Sequence, residues 1–526
     1  MRAASRVART VLALTVTVGL LATGCTEDPG PPAGPPAPSN TAGTDPVSWR
    51  PCPEVAEEAL AGIVPGGHVS QLIAGTTYEC TTLSVPQDWS APDETGTFEI
   101  ALVRARRGED HPGRIGSLLI NPGGPGASGV EAAVYLTLAP LFGGLPQRVT
   151  DRFDVIGFDP RGVARSSPVE CYTDEELDEV FGAEPDPAGQ AEFDAAVADA
   201  QRFAEACGAK YGEALNYLST RQTAHDLDAI RAAVGDEKLT YLGFSYGTLL
   251  GAVYAQLYPQ RVRAMVLDGA VDAEQDAIAA SRAQAAGFEQ AFDNFAAWCE
   301  AHPDRCPQAP DARRAVTEAL AGARRAPLAG ADGREATAGW VLWAVIAALY
   351  SQDLWPVLSA ALDQLDDGDP SGVFELVDTY TGRDERGAYP NLFDALTAIN
   401  CADDGTEVTV AQARELQAQW REEYPLFGAP LAVSTLGCAA WPAQPDPYPT
   451  GPAEGAPPIL LVGTTGDPAT PYEATPKLAE MLGVGVVLTY EGEGHTAYPG
   501  PTCVDEVVNA YLIDLTVPDD GTTCPA

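Results

Sequence analysis

Positive charge is what this chain has least of: 31 Lys and Arg stand against 74 Asp and Glu, a net charge of −43 at pH 7. Such a surface repels phosphate backbones, which argues against nucleic acid as a partner and suits a protein kept dispersed in solution. The same field would favour cationic ligands, a weaker inference. Histidine is scarcer still, with five residues in 526. There is no Cys-x-x-Cys pair and no His-Glu-x-x-His run, so the common zinc spacings are missing. No internal repeat is visible. The N-terminal apolar stretch, Val11 to Ala22, falls short of the ~20 residues that a membrane-spanning helix needs. The 45% apolar content excludes wholesale disorder, and the length suits one enlarged domain or two.

The first residues read as an export signal. Arg2, Arg6 and Arg9 precede the apolar stretch, which ends in Leu20-Leu21-Ala22-Thr23-Gly24-Cys25. That ending resembles a bacterial lipobox, cut before Cys25 with Cys25 then lipidated. Ala22 stands where such motifs usually carry Leu, so plain secretion is the alternative. The expected division is a signal peptide over 1–24 and a Pro-rich tether over 25–48, too poor in apolar side chains to form a core. The protein would then sit on the outer side of the cytoplasmic membrane through its lipid, or be released. Setting Cys25 aside from 11 cysteines leaves an even number, which in an exported chain points to disulfides. Ten cysteines allow roughly 900 pairings. The pairing most economical in sequence is Cys52–Cys80, Cys171–Cys207, Cys299–Cys306, Cys401–Cys438 and Cys503–Cys524.

Beyond the tether, strand patterns alternate with helical ones. Thr77 to Val85 and Phe98 to Arg106 predict an antiparallel edge hairpin. Apolar runs at 117–120, 153–158, 239–244, 262–267, 459–462 and 484–490 predict buried parallel strands, and helical spacing over Thr223 to Val234 falls between two of them. The interval from about Asp272 to Ala440 is helical throughout, with Phe288, Phe292, Phe295 and Trp298 on one face and Trp340, Trp343, Tyr350 and Trp355 in an apolar stretch. It reads as a helical cap over 272–440, inserted between core segments 49–271 and 441–526. The aromatic stripe reads as cap core, with a substrate-lining surface as the alternative.

Chemistry concentrates where Leu239-Thr240-Tyr241-Leu242 runs into Gly243-Phe244-Ser245-Tyr246-Gly247 and then a helix-compatible segment. This is the strand–nucleophile–helix turn of an α/β-hydrolase, a mostly parallel sheet with helices on both faces. Ser245 is the expected nucleophile, and it needs a base. Of the five histidines, His68 precedes the core strands, His111 lies in a Pro/Gly-rich lead-in, His302 lies in the cap, and His225 precedes the serine. His495, in the Gly-rich loop after the last predicted strand, remains. The acid should fall between nucleophile and base. Asp467 in Gly466-Asp467-Pro468 is preferred, and Asp268, one strand earlier, is the rival. Thr470 could bond near the acid or simply cap a helix. The oxyanion hole needs backbone N–H donors: Tyr246, and Gly124 (with Gly123 second) from Asn121-Pro122-Gly123-Gly124-Pro125-Gly126. That loop formally matches the dinucleotide fingerprint Gly124-x-Gly126-x-x-Gly129, but its prolines and an exported location argue against a nicotinamide; no cofactor or metal is expected.

Together, Asn121–Gly126, Phe158-Asp159-Pro160-Arg161-Gly162, Gly243–Thr248, Gly466–Pro471 and Gly494-His495 resemble the secreted tripeptidyl aminopeptidases, relatives of the prolyl aminopeptidases. Pro122-Gly123-Gly124 replaces the His-Gly-Gly usual in the prolyl enzymes and favours the tripeptidyl branch. The resemblance implies an exported serine exopeptidase acting on peptides with a free N-terminus, whose ammonium meets carboxylates near the cap. Asp403, beside Cys401, is the local candidate for that contact. A carboxylesterase with the same triad is one alternative, and a non-catalytic surface binding protein on this scaffold is another.

Overall fold

The computed structural model describes residues 46–60, 69–73, 75–108, 113–138 and 143–526. The expected signal peptide, Cys25 and most of the expected tether, like His68 and His111, lie outside the described residues.

Twelve strands are present among the described residues: β1 (Arg50–Pro51), β2 (Thr76–Pro86), β3 (Thr97–Arg107), β4 (Gly116–Asn121), β5 (Phe153–Phe158), β6 (Leu239–Phe244), β7 (Val262–Asp268), β8 (Leu328–Ala329), β9 (Glu335–Ala336), β10 (Ile459–Gly466), β11 (Gly485–Glu493) and β12 (Thr522–Pro525). All but the β8–β9 pair join one ten-stranded sheet, ordered β1-β2-β3-β5-β4-β6-β7-β10-β11-β12. β1, β2 and β3 are antiparallel to their neighbours, and every pairing from β5 to β12 is parallel. β4 and β5 are buried at every position, as mainly apolar strands covered on both faces must be. Their side chains divide by the pleat. Leu119, Ile156, Tyr241, Leu267 and Leu461 enter one core, and Leu118, Ile120, Val155, Leu242, Val266 and Leu460 enter the other.

The chain leaves β4 toward β5 on one side and returns as β6 on the other, so the segments following β4 and β6 face each other at the carboxyl ends of their strands. In open α/β sheets this reversal is where ligands bind.

Between β7 and β10 the helices Ala277–Ala301, Ala312–Arg325, Ala338–Leu349, Trp355–Asp366 and Ser371–Thr381 build a third core from Phe288, Phe292, Phe295, Trp340 and Trp355. Two features depart from the expected division. The helix Asp174–Gly182, far upstream, sends Leu177 and Phe181 into that third core. Conversely, Leu392–Asp403 lies within the cap interval, yet its Ala395, Ala398, Ile399 and Ala402 pack into the first sheet-face core. All five disulfides form in the economical pairing. Five bridges suit an oxidising, extracytoplasmic setting. No helix among the described residues is long and apolar enough to cross a membrane.

Candidate active site

β6 ends where Ser245 takes φ 54° and ψ −124°, a left-handed conformation that costs a non-glycine residue ~1–3 kcal/mol. The surroundings hold it there. Its N–H donates to the Asp268 carbonyl at 2.9 Å, and its carbonyl accepts from the Thr248 N–H at 2.8 Å and hydroxyl at 2.6 Å. The flanking glycines are dictated by crowding. A Cβ on Gly243 would lie 2.4 Å from the Gly247 carbonyl oxygen, and one on Gly247 would lie 2.7 Å from that of Asn121.

Asp467 follows β10, and its buried carboxylate is fixed before it meets the base. It accepts from the Ala469 N–H at 2.9 Å, the Thr470 N–H at 2.8 Å and the Thr470 hydroxyl at 3.0 Å. His495 Nδ1 lies 2.9 Å from each Asp467 oxygen. A proton held on Nδ1 by that carboxylate leaves Nε2 with the free lone pair that a general base needs. The ring lies beside the elbow: a Cβ on Gly269, the residue after Asp268, would stand 3.2 Å from His495 Cε1. Burial lowers the imidazole pKa, but the charge and hydrogen bond of Asp467 outweigh it and the pKa is raised above its ordinary 6.5.

The rival acid has a different task. Asp268 is fully buried, and its carboxylate accepts from the backbone N–H of Ala497 at 3.0 Å and of Tyr498 at 2.7 Å, so it grips the loop that carries His495. Burial pushes its pKa up to about 7, against the pull of those amides. The other described histidines are occupied elsewhere. His225 Nδ1 sits 2.5 Å from the Tyr258 hydroxyl, with its pKa lowered to about 4 chiefly by burial, and His302 Nδ1 sits 2.8 Å from the Trp298 carbonyl.

Across the elbow, the loop after β4 presses against the serine. A Cβ on Gly123 would lie 2.8 Å from Ser245 Cβ and 3.1 Å from the Tyr246 nitrogen. Gly123 donates its own N–H to the Asn121 side-chain oxygen at 3.0 Å, which leaves the exposed Gly124 as the candidate donor of that loop. Tyr246 opens the elbow helix Tyr246–Leu257, where first-turn N–H groups lack intrahelical acceptors.

Asp403 is bound to a neighbour within the protein. It is buried, and its two oxygens accept from the Thr220 N–H at 2.7 Å and hydroxyl at 2.5 Å. Each oxygen thus meets one donor, both of them from Thr220.

Sequence reasoning missed the contacts that the insertion makes with this site. The Tyr350 carbonyl accepts the His495 N–H at 2.8 Å, and its ring meets the imidazole edge-on at 5.3 Å. Asn294 donates to both oxygens of Glu493, at 3.1 and 3.0 Å. Tyr350 belongs to the predicted aromatic stretch, which was its only signal. Thr220 gave none.

A strained serine on a strand–helix turn, with an aspartate-held imidazole on a loop beside that turn at the carboxyl ends of a parallel sheet, is the arrangement expected of a serine hydrolase of the α/β-hydrolase fold. Two family descriptions match the chain, "alpha/beta hydrolase fold" over residues 116–311 and "TAP-like protein" over 424–524. Serine protease Hip1 of Mycobacterium tuberculosis is 40% identical over 497 residues, 91% of each chain. Carboxylesterase B of the same species is 35% identical, over 91% of this chain and 95% of its own. Tripeptidyl aminopeptidase of Streptomyces lividans is 30% identical, over 85% and 83%. The chain belongs to this TAP-like family of serine hydrolases with the α/β-hydrolase fold.

Proposed function

We propose that the protein is an exported serine exopeptidase that releases short peptides from free N-termini. Ser245 attacks the scissile carbonyl while His495 Nε2 takes its proton, and Asp467 stabilises the imidazolium that forms. The Gly124 and Tyr246 amides receive the developing oxyanion. His495 then protonates the departing amine, and water admitted in its place cleaves the acyl-enzyme by the same route in reverse. The observation that carries the reading is the Asp467–His495 contact at 2.9 Å beside a strained Ser245.

The exopeptidase half rests on the tripeptidyl aminopeptidase relatives and on the acidic surface, which favours a cationic terminus. Product analysis by mass spectrometry on unblocked and N-acetylated peptides tests it. Release of short N-terminal fragments from the unblocked set alone is expected, and internal cleavage would contradict it. The esterase reading has its own support in the carboxylesterase B relative. Equal turnover of blocked and free substrates, with esters far ahead of amides, would select it. Cys25 is the proposed lipid attachment, so the mature N-terminus of membrane-extracted protein should be an acylated cysteine.

A further inference from the structure

We infer that the helix Leu392–Asp403 braces both arms of the oxyanion hole, and that Asp403 is a positioning residue acting on Tyr246 through Thr220. The inference rests on the reading of the Gly124 and Tyr246 amides as oxyanion donors.

At its C-terminal end the brace is a relay of three side chains. The Thr220 hydroxyl donates to Asp403 at 2.5 Å, and the Tyr246 hydroxyl lies 2.6 Å from the same Thr220 oxygen. Thr220 has one hydroxyl proton, already directed at the carboxylate, so Tyr246 must be the donor in the second bond. The relay is directional: Tyr246 to Thr220 to Asp403. All three residues are buried, where an unmet polar group is costly and a satisfied one rigid. Tyr246 directly follows Ser245, so what fixes its side chain also restricts the orientation of its amide.

At its N-terminal end the same helix abuts the other arm. A Cβ on Gly126 would lie 2.4 Å from the Leu392 carbonyl oxygen and 3.1 Å from the Leu396 nitrogen, so the loop carrying Gly124 rests directly on the first turn. The helix is itself anchored. Asn391 donates its amide to the Gly162 and Val169 carbonyls, each at 2.8 Å, and Asp394 accepts from the Cys171 and Tyr172 N–H groups at 2.8 and 3.0 Å. The Cys401–Cys438 disulfide fixes the end beside Asp403. This explains why a helix from the cap interval packs into the sheet-face core: it spans the distance between two donors that must be held at one separation.

The test uses Tyr246→Phe, Thr220→Val, Thr220→Ser and Asp403→Asn in the full-length secreted chain, with active sites counted by fluorophosphonate titration so that misfolded enzyme is not scored. Two substrates are compared, a free-amine tripeptide p-nitroanilide and p-nitrophenyl acetate, which has no amine. Tyr246→Phe and Thr220→Val should each lower kcat per active site by about 10- to 100-fold on both substrates with KM within about twofold, since the defect lies in donor placement. Thr220→Ser should recover most of what Thr220→Val loses. Asp403→Asn keeps one acceptor oxygen but turns an NH2 donor toward the other Thr220 donor, so it should lower kcat in the same direction as Thr220→Val. Unchanged kcat in Tyr246→Phe and Thr220→Val overturns the brace, as does an Asp403→Asn defect confined to KM for the free-amine substrate, which would return Asp403 to ammonium binding. Ser245→Ala separates the two layers: if it is inactive while Tyr246→Phe is normal, only the brace fails, and if it stays active the underlying reading fails.

Discussion

The sheet and the helical insertion hold their residues by different means. At the sheet, Ser245, Asp467 and His495 follow β6, β10 and β11, whose backbones are locked in parallel register, and each side chain inherits that precision. In the insertion, helices grip one another through rings such as Phe295 and Trp355, 6.0 Å apart and edge-on. The insertion reaches the chemistry at few points, chiefly Tyr350 on His495 and the helix Leu392–Asp403 under the elbow. Damage at the strand ends should therefore stop turnover in a folded enzyme, whereas damage to the insertion core should lower stability and leave turnover per folded molecule intact.

The sharpest break of that comparison is Ser245→Ala, expected to lower kcat by up to ~10⁶ with an unchanged melting temperature. Asp467→Asn follows, with a loss of ~10⁴ in kcat and a second signature in pH. The base must be neutral to act, and Asp467 raises its pKa, so wild-type kcat/KM should fall away with acidity around a midpoint above 6.5. Without that carboxylate charge the midpoint should move down. An acid limb that stays in place would remove Asp467 from its role.

On the other side of the comparison, Phe295→Ala empties a fully buried site in the insertion and should cost ~3–5 kcal/mol, read by thermal or chemical unfolding, with kcat per titrated site preserved. The smallest effect belongs to the Cys299–Cys306 bridge, which joins residues seven apart and should contribute only ~2 kcal/mol on chain-entropy grounds. A loss of turnover in either variant would mean that the insertion core governs the chemistry after all.

Legibility in the sequence divides along the same line. β5 and β6 are readable to the residue because buried parallel strands are short, mainly apolar runs, broken here only by Asp154 and Thr240. His495 could be found by elimination because so few histidines compete. The short edges escaped. β1 has two residues and β12 four, too few for any period, and β12 is set by pairing with β11 and by Cys503–Cys524. The helix Asp174–Gly182 was missed although its capping box, Thr173 with Glu176, is local and readable. The partner of Asp403 was hidden for a deeper reason. Position along the chain put Asp403 in the cap, whereas only the three-dimensional packing of Leu392–Asp403 shows that its carboxylate faces Thr220.

The most direct measurement is fluorophosphonate labelling of the wild type and of His495→Ala, followed by peptide mapping. Convergence of serine and imidazole predicts a single adduct, on Ser245, forming orders of magnitude more slowly in the variant. Labelling at another residue, or an equal rate without the imidazole, would contradict it.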